Sequence, residues 1–286
     1  MPGVSEAAPR RSGSQLFDEI GPWSVVKLDL VQRYAAQYST ILSRQRNPEL
    51  RHVYVDAFAG GGVHVSKKTR ELVPGSPMNA LWLDPPFQEY HFIELSQVKV
   101  GLLHEIAGKQ SNVHIHAGDC NEILTKDVFP RVRYEDFTRG LCLLDPYGLH
   151  LDWHVLKAAG SMRSLEIFLN FPIMHINRNV LRRDYSKVDP GEEAKMTRFW
   201  GDESWRDVVR KPSATLFGDV DEKVSNQELA EAFRKRLRNV AGFAHVPSPC
   251  AMKNSKGAVV YYLYFMAQRP VAADIVRWIF DHYGRL

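Results

Sequence analysis

Cysteine is scarce in this sequence: Cys120, Cys142 and Cys250 are the only three, an odd number spread widely over 286 residues. That spacing excludes a disulfide framework, lacks the close pairs of a zinc site and fits a reducing, cytoplasmic compartment. No apolar run approaches the ~18 residues a membrane-spanning helix requires, so no membrane span is expected. The opening MPGVSEAAPRRSGSQ has two adjacent arginines but no apolar segment behind them, which argues against a secretory signal. Residues 1–15 read instead as a disordered lead-in. Charge of one sign is nearly balanced by the other, with 37 basic and 33 acidic residues leaving +4. So small an excess permits a nucleic-acid partner without requiring one, because phosphate binding needs basic side chains gathered on one face. A Walker lysine pattern is missing, as is a G-x-G-x-x-G running straight into a helix, so the usual phosphate cradles are excluded.

What is present is a composition of 44% hydrophobic and 24% charged residues, enough for a sizeable core. Residues 23–42 place Val26, Leu30 and Tyr34 at helical spacing. From residue 51 onward, short apolar runs alternate with helical patterns: RHVYVD, YHFIELS, NVHIHAGDC, GLCLLDPYG and SLEIFLNFP are five strands within about 120 residues. Their apolar residues show little alternation, as expected of a parallel sheet covered on both faces. VHVSKKTRELVPGSP between the first strand and the next helix reads as a polar loop, with Ser76 as helix cap and Pro77 at the first helical position. Residues 173–240 are polar and mostly helical, an insertion in a single domain spanning 16–286. The chain closes with two strands joined by KNSKG and an amphipathic helix.

Ligands in open α/β sheets sit beyond the carboxyl ends of the strands. The first strand ends in Asp56 and the glycine turn AFAGGG, the second in Glu94, the third in Asp119 and the fourth in Asp145. Ribose hydroxyls and an adenine amine are donors that seek such acceptors, and the missing phosphate cradle points to a nucleoside without a phosphate tail. S-adenosyl-L-methionine has that chemistry. Methyl transfer from a sulfonium depends on alignment more than on acid–base groups, so the lack of a Ser-His-Asp set is no objection. His114 and His116 face one side of the third strand, but no carboxylate beyond Asp119 stands at ligand spacing to complete a set, and no metal is expected.

The D-x-F-A-G-x-G turn, the strand-end acids and the D-P-aromatic after the fourth strand resemble the class I S-adenosylmethionine-dependent methyltransferases. More narrowly, VDAFAGGG, PGSPMNAL, FIELS, GDCNEIL, DPYG, INRNVL and YYLYFMA resemble the three-Cys-motif partner (TcmP) family over residues 23–283. The resemblance implies a Rossmann-like fold, mostly parallel with a C-terminal antiparallel hairpin. It places Gly60 and Gly62 against the methionine part of the cofactor, Asp56 near its ammonium, Glu94 on the ribose, and Asp119 with Cys120 at the adenine, with Phe58 also among the cofactor-binding residues. In amino-methylating enzymes, an Asp/Asn-Pro-Pro-aromatic at this place grips the target amine and stacks the flipped base. Asp145, Pro146 and Tyr147 share the acid, the proline and a ring, and a similar Asp-Pro-aromatic-Gly occurs in tRNA guanine-N2 methyltransferases. The expected reaction is methylation of an exocyclic amine on a nucleobase in DNA or RNA. Asn170, Arg178, Lys67 and Lys68 are the candidate substrate contacts, with Arg182 and Arg183 nearby. Alternatives are a metal-dependent nuclease using the four strand-end acids, or a non-catalytic module that recognises a protein partner, which the family name implies.

Overall fold

The computed structural model describes residues 17–182, 187–215 and 218–283. The expected lead-in at 1–15 and Arg183 lie outside the described residues. The chain begins with strand β1 (Asp18–Ile20) and the long helix α1 (Pro22–Ser43), then β2 (Arg51–Asp56), β3 (Val63–Ser66), β4 (Leu72–Pro74) and the short helix α2 (Ser76–Leu81). Next come β5 (Glu89–Glu94), α3 (Gln97–Ala107), β6 (Val113–Ala117) and α4 (Cys120–Ile123), which runs into a π turn and a 3₁₀ turn. β7 (Thr138–Leu144), α5 (Trp153–Met162) and β8 (Leu165–Phe171) complete the alternating part. α6 (Ile173–Asn179), α7 (Pro190–Trp200), α8 (Trp205–Val209), the hairpin β9 (Arg210–Thr215) and β10 (Gly218–Lys223), and α9 (Asn226–Asn239) follow. β11 (Cys250–Lys253), β12 (Val259–Met266) and α10 (Pro270–Tyr283) close the chain.

Seven strands make the main sheet in the order β11-β12-β8-β7-β2-β5-β6. All neighbours from β8 to β6 are parallel, while β12 runs antiparallel to both β8 and β11. This is the Rossmann-like fold that the sequence suggested, with the late hairpin docked on the sheet edge. Both faces are covered, and successive residues prove it. Val53, Val55, Cys142, Leu144, Ile167 and Leu169 join one core cluster with α5, α7 and α9. Tyr54, Leu141, Leu143 and Phe168 join the other with α1, α3 and α10. With both pleat faces buried, the strands have no polar side, so they read as continuous apolar runs. The helices of 173–240 are part of this core: Phe199, Trp200, Trp205 and Phe233 are buried in it.

Three details differ from the sequence reading. The polar loop at 63–75 contains strands, because β3 pairs parallel with β1 and antiparallel with β4 in a small separate sheet. Gly75 rather than Ser76 sits at the N-cap of α2, in extended backbone, and Ser76 and Pro77 form the first turn. On α1, the buried stripe is Lys27, Leu28, Leu30, Val31, Tyr34, Ala35 and Tyr38, with Val26 turned outward.

Candidate active site

The chain order reverses between β2 and β7: from β2 it proceeds outward to β5 and β6, then returns to β7 and β8. At such a switch point the loops after adjacent strands diverge and leave a crevice. A cleft of about 980 Å³ lies there, lined by the loops after β2, β5, β6, β7 and β8. α1, β1 and the β3 region wall its other side.

Each strand brings its own group. After β2, Phe58 and Gly60 line the cleft. Gly60 has φ 63°, a left-handed bend in which a side chain would be strained, and its N–H donates to Glu94 Oε2 at 2.9 Å. The other carboxylate oxygen of Glu94 accepts from the Ser96 N–H at 2.8 Å, so the acid ending β5 is aimed by two backbone donors. Asp119 caps α4 by accepting from the Asn121 N–H at 2.7 Å, while its side chain stays exposed at the cleft wall beside Cys120. Burial raises the Cys120 thiol to about 12, away from the thiolate form.

After β7 comes Asp145-Pro146-Tyr147-Gly148. Asp145 Oδ1 accepts from Asn170 Nδ2 at 2.7 Å, and Oδ2 is ion-paired with Lys27. Lys27 is a lysine on the apolar stripe of α1, its side chain 7% exposed against 28% for Asp145. Tyr147 stands 87% exposed at the rim, with a ring face open to a ligand. Gly148 explains why the tetrapeptide ends as it does. Its φ is 63°, and the His175 ring lies 3.0 Å from where a Cβ would be, so a side chain would be both strained and obstructed. His175 in turn bonds Glu192 at 2.8 Å, fixing the turn against α7.

The structure gathers Phe58, Gly60, Glu94, Asp119, Cys120, Asp145, Pro146, Tyr147, Asn170, Arg178 and Lys67 around one cleft. Gly62, Lys68 and Asp56 do not line it. Gly62 faces α3, where a Cβ would meet Ile106 at 2.6 Å. Asp56 is fully buried, and desolvation raises its carboxyl to about 7, against the lowering effects of the Ser76 hydroxyl and the Phe58 N–H. Its carboxyl accepts from the Phe58 N–H at 3.2 Å away from the cleft, so a strand-end position alone did not fix its direction. Lys27, His64, Tyr261 and His175 also line the cleft and were not singled out from sequence. Lys27 was findable: it lies three, four and seven residues before Leu30, Val31 and Tyr34. His64 is carried by β3, and burial lowers its pKa.

At the far edge of the sheet, His91 Nδ1 meets His116 Nε2 at 3.0 Å, and Glu89 meets both His91 and His114. The rings stack rather than converge, and among the described residues no group of three or more His, Cys, Asp or Glu is arranged to hold a metal ion. No helix among the described residues is long and apolar enough to cross a membrane.

No family model matches the chain, and no curated protein matches it in sequence. Among solved structures, the chain is similar to a Legionella pneumophila protein of the DUF519 family, with 9% identity over 90% of this chain and 91% of that one and a TM-score of 0.45. It is also similar to a putative methyltransferase from Thermobifida fusca, with 8% identity over 86% and 82% of the two chains and a TM-score of 0.43. A third is a SAM-dependent methyltransferase from Leishmania major, with 10% identity over 85% and 72% and a TM-score of 0.40. At these identities and scores, any functional reading rests on the chain's own residues.

Proposed function

We propose that the protein is an S-adenosylmethionine-dependent methyltransferase acting on an exocyclic amine of a nucleobase, with the fold and motifs of the TcmP-like group. The observation that carries this reading is the convergence of Gly60, Glu94, Asp119 and Asp145 on one cleft at the switch point of the sheet. The residues present fit an adenosyl sulfonium. Glu94 and Asp119 are acceptors on neighbouring strands, and Gly60 lets the backbone approach closely. Asn170 Oδ1 is buried without a partner among the described residues, an acceptor left for a donor.

Glu94 would hold the ribose hydroxyls, Asp119 the adenine amine and the Gly60 turn the methionine part. When bound, the cofactor supplies an electrophilic methyl group. The chain's own work is positional. Lys27 and Asn170 each hold one oxygen of Asp145, which restrains the carboxylate's rotation where it lines the cleft. Fixed in this way, it accepts an N–H of the target amine and keeps that nitrogen's lone pair aimed inward. Pro146 stiffens the backbone next to it, and Tyr147 offers a stacking face to an extruded base. Lys67 and Arg178 at the cleft wall suit phosphates flanking that base.

The test is calorimetric titration with S-adenosylhomocysteine, followed by transfer of labelled methyl from S-adenosylmethionine to DNA and to RNA. Micromolar binding abolished by Glu94→Ala, with label in one nucleic acid, is the expected result. Absence of binding at hundreds of micromolar overturns the cofactor; binding without label in either polymer overturns the substrate.

A further inference from the structure

A second cavity, of about 200 Å³, opens at the other end of the main sheet, between α1, α10 and the amino ends of β7 and β8. Most of its wall is apolar, including Ile41, Leu42, Leu165 and Ile275. Two features set it apart from a packing defect. The first is Glu166 in its wall, which accepts a hydrogen bond from the Tyr34 hydroxyl at 2.5 Å. Burial raises its carboxyl to about 7, and among the described residues it has no cationic partner.

The second is a set of three arginines, Arg139, Arg163 and Arg269, all lining the same cavity. Among the described residues none of them meets a carboxylate. Arg139 lies 3.8 Å over the Tyr134 ring and donates to the Tyr134 and Thr138 carbonyls. Arg269 donates to the Tyr134 hydroxyl at 2.9 Å. Arg163 follows the last turn of α5 with φ 60°, a left-handed conformation where glycine or asparagine is the low-strain choice.

The strand register defines the geometry. Leu141 of β7 pairs with Glu166 of β8, so Arg139 lies on the same face as Glu166, one pleat nearer the amino ends of the strands. Neighbours in that arrangement commonly form an ion pair; here Arg139 turns instead to carbonyls and a ring. Three arginines and an acceptor thus line one largely apolar space.

We propose that this cavity binds a small organic anion with an apolar body, its carboxylate on the arginines and a hydrogen-bond donor at its other end on Glu166. The site is separate from the switch-point cleft, and the inference stands whether or not the chain transfers methyl groups. The probes are 4-hydroxyphenylacetate, which has all three features, phenylacetate, which lacks the donor, and 4-hydroxyphenylethanol, which lacks the charge. Calorimetry on the full chain should show saturable binding of the first in the millimolar range or tighter, and binding about tenfold or more weaker for the other two. Arg163→Gly relieves the backbone while removing one guanidinium. It should weaken 4-hydroxyphenylacetate about tenfold with a melting temperature at or above that of the parent, which separates lost binding from lost folding. Equal affinities for the three probes, or an unchanged affinity in Arg163→Gly, overturns the proposal, as does the absence of saturation by the first.

Discussion

The pairing of Lys27 with Asp145 is the most exacting test of the site's construction. Substituting Lys27 by methionine keeps the length and apolar stem of the side chain and removes only the ammonium. Breaking a buried pair by deleting one partner costs ~3–5 kcal/mol. Asp145 keeps 28% side-chain exposure and its bond from Asn170, so the lower half of that range or less applies, about 2–3 kcal/mol. In a chain of this size that corresponds to a fall in melting temperature of roughly 5–10 °C. Asp145→Asn removes the other charge, and the double variant should recover part of the loss, with a coupling of about 1–3 kcal/mol in urea titrations. Lys27→Met should also lower methyl transfer by about 10- to 100-fold, because one oxygen of the acid is no longer fixed. A Lys27→Met protein within 0.5 kcal/mol of the parent, or single-variant costs that simply add in the double, would refute the argument.

Tyr147→Ala should leave stability within about 0.5 kcal/mol in urea titrations, since the ring is exposed, yet lower kcat/KM on nucleic acid by the ~1–3 kcal/mol of a lost stacking contact. Gly148→Ala should cost at least ~1–2 kcal/mol from the left-handed backbone alone, with the His175 contact adding to it, and should lower methyl transfer alongside stability. Asp56 and Glu166 are both raised to about 7 in the folded chain and titrate near 4 when exposed. Between about pH 4 and 7 the folded state keeps protons that the unfolded state has released, so stability falls with rising pH across that window and levels off above it. Asp56→Asn should shrink the difference in unfolding free energy between pH 5 and pH 8; an unchanged difference assigns the slope elsewhere.

The alternating core was legible because central parallel strands leave an unmistakable trace of apolar runs that end in turn residues. The cleft was legible for a related reason: strand ends at a switch point must converge, and acids at several of them stand out. What sequence could not supply was direction. Asp56 and Glu94 both end strands, but the turn after β2 draws Asp56 inward against Ser76 while Gly60 pulls Glu94 toward the cleft. Lys27 escaped notice because a lysine on a helix is ordinarily a solvated residue: its place on the apolar stripe was legible, but its partner 118 positions away was not. The small β1-β3-β4 sheet escaped because strands of three or four residues with polar flanks carry too little periodicity to separate from a loop.

That small sheet has a consequence for how the cleft can be observed in solution. Its outer wall rests on three residues of β1 paired with three of β3, far fewer hydrogen bonds than any central strand, so the wall should open at a much lower free energy than the sheet behind it. Amide protons of residues 18–20 and 64–66 should exchange with deuterium sooner than those of β2 or β7, and slow when something fills the space they border. They offer a reporter of occupancy that needs neither turnover nor knowledge of the acceptor.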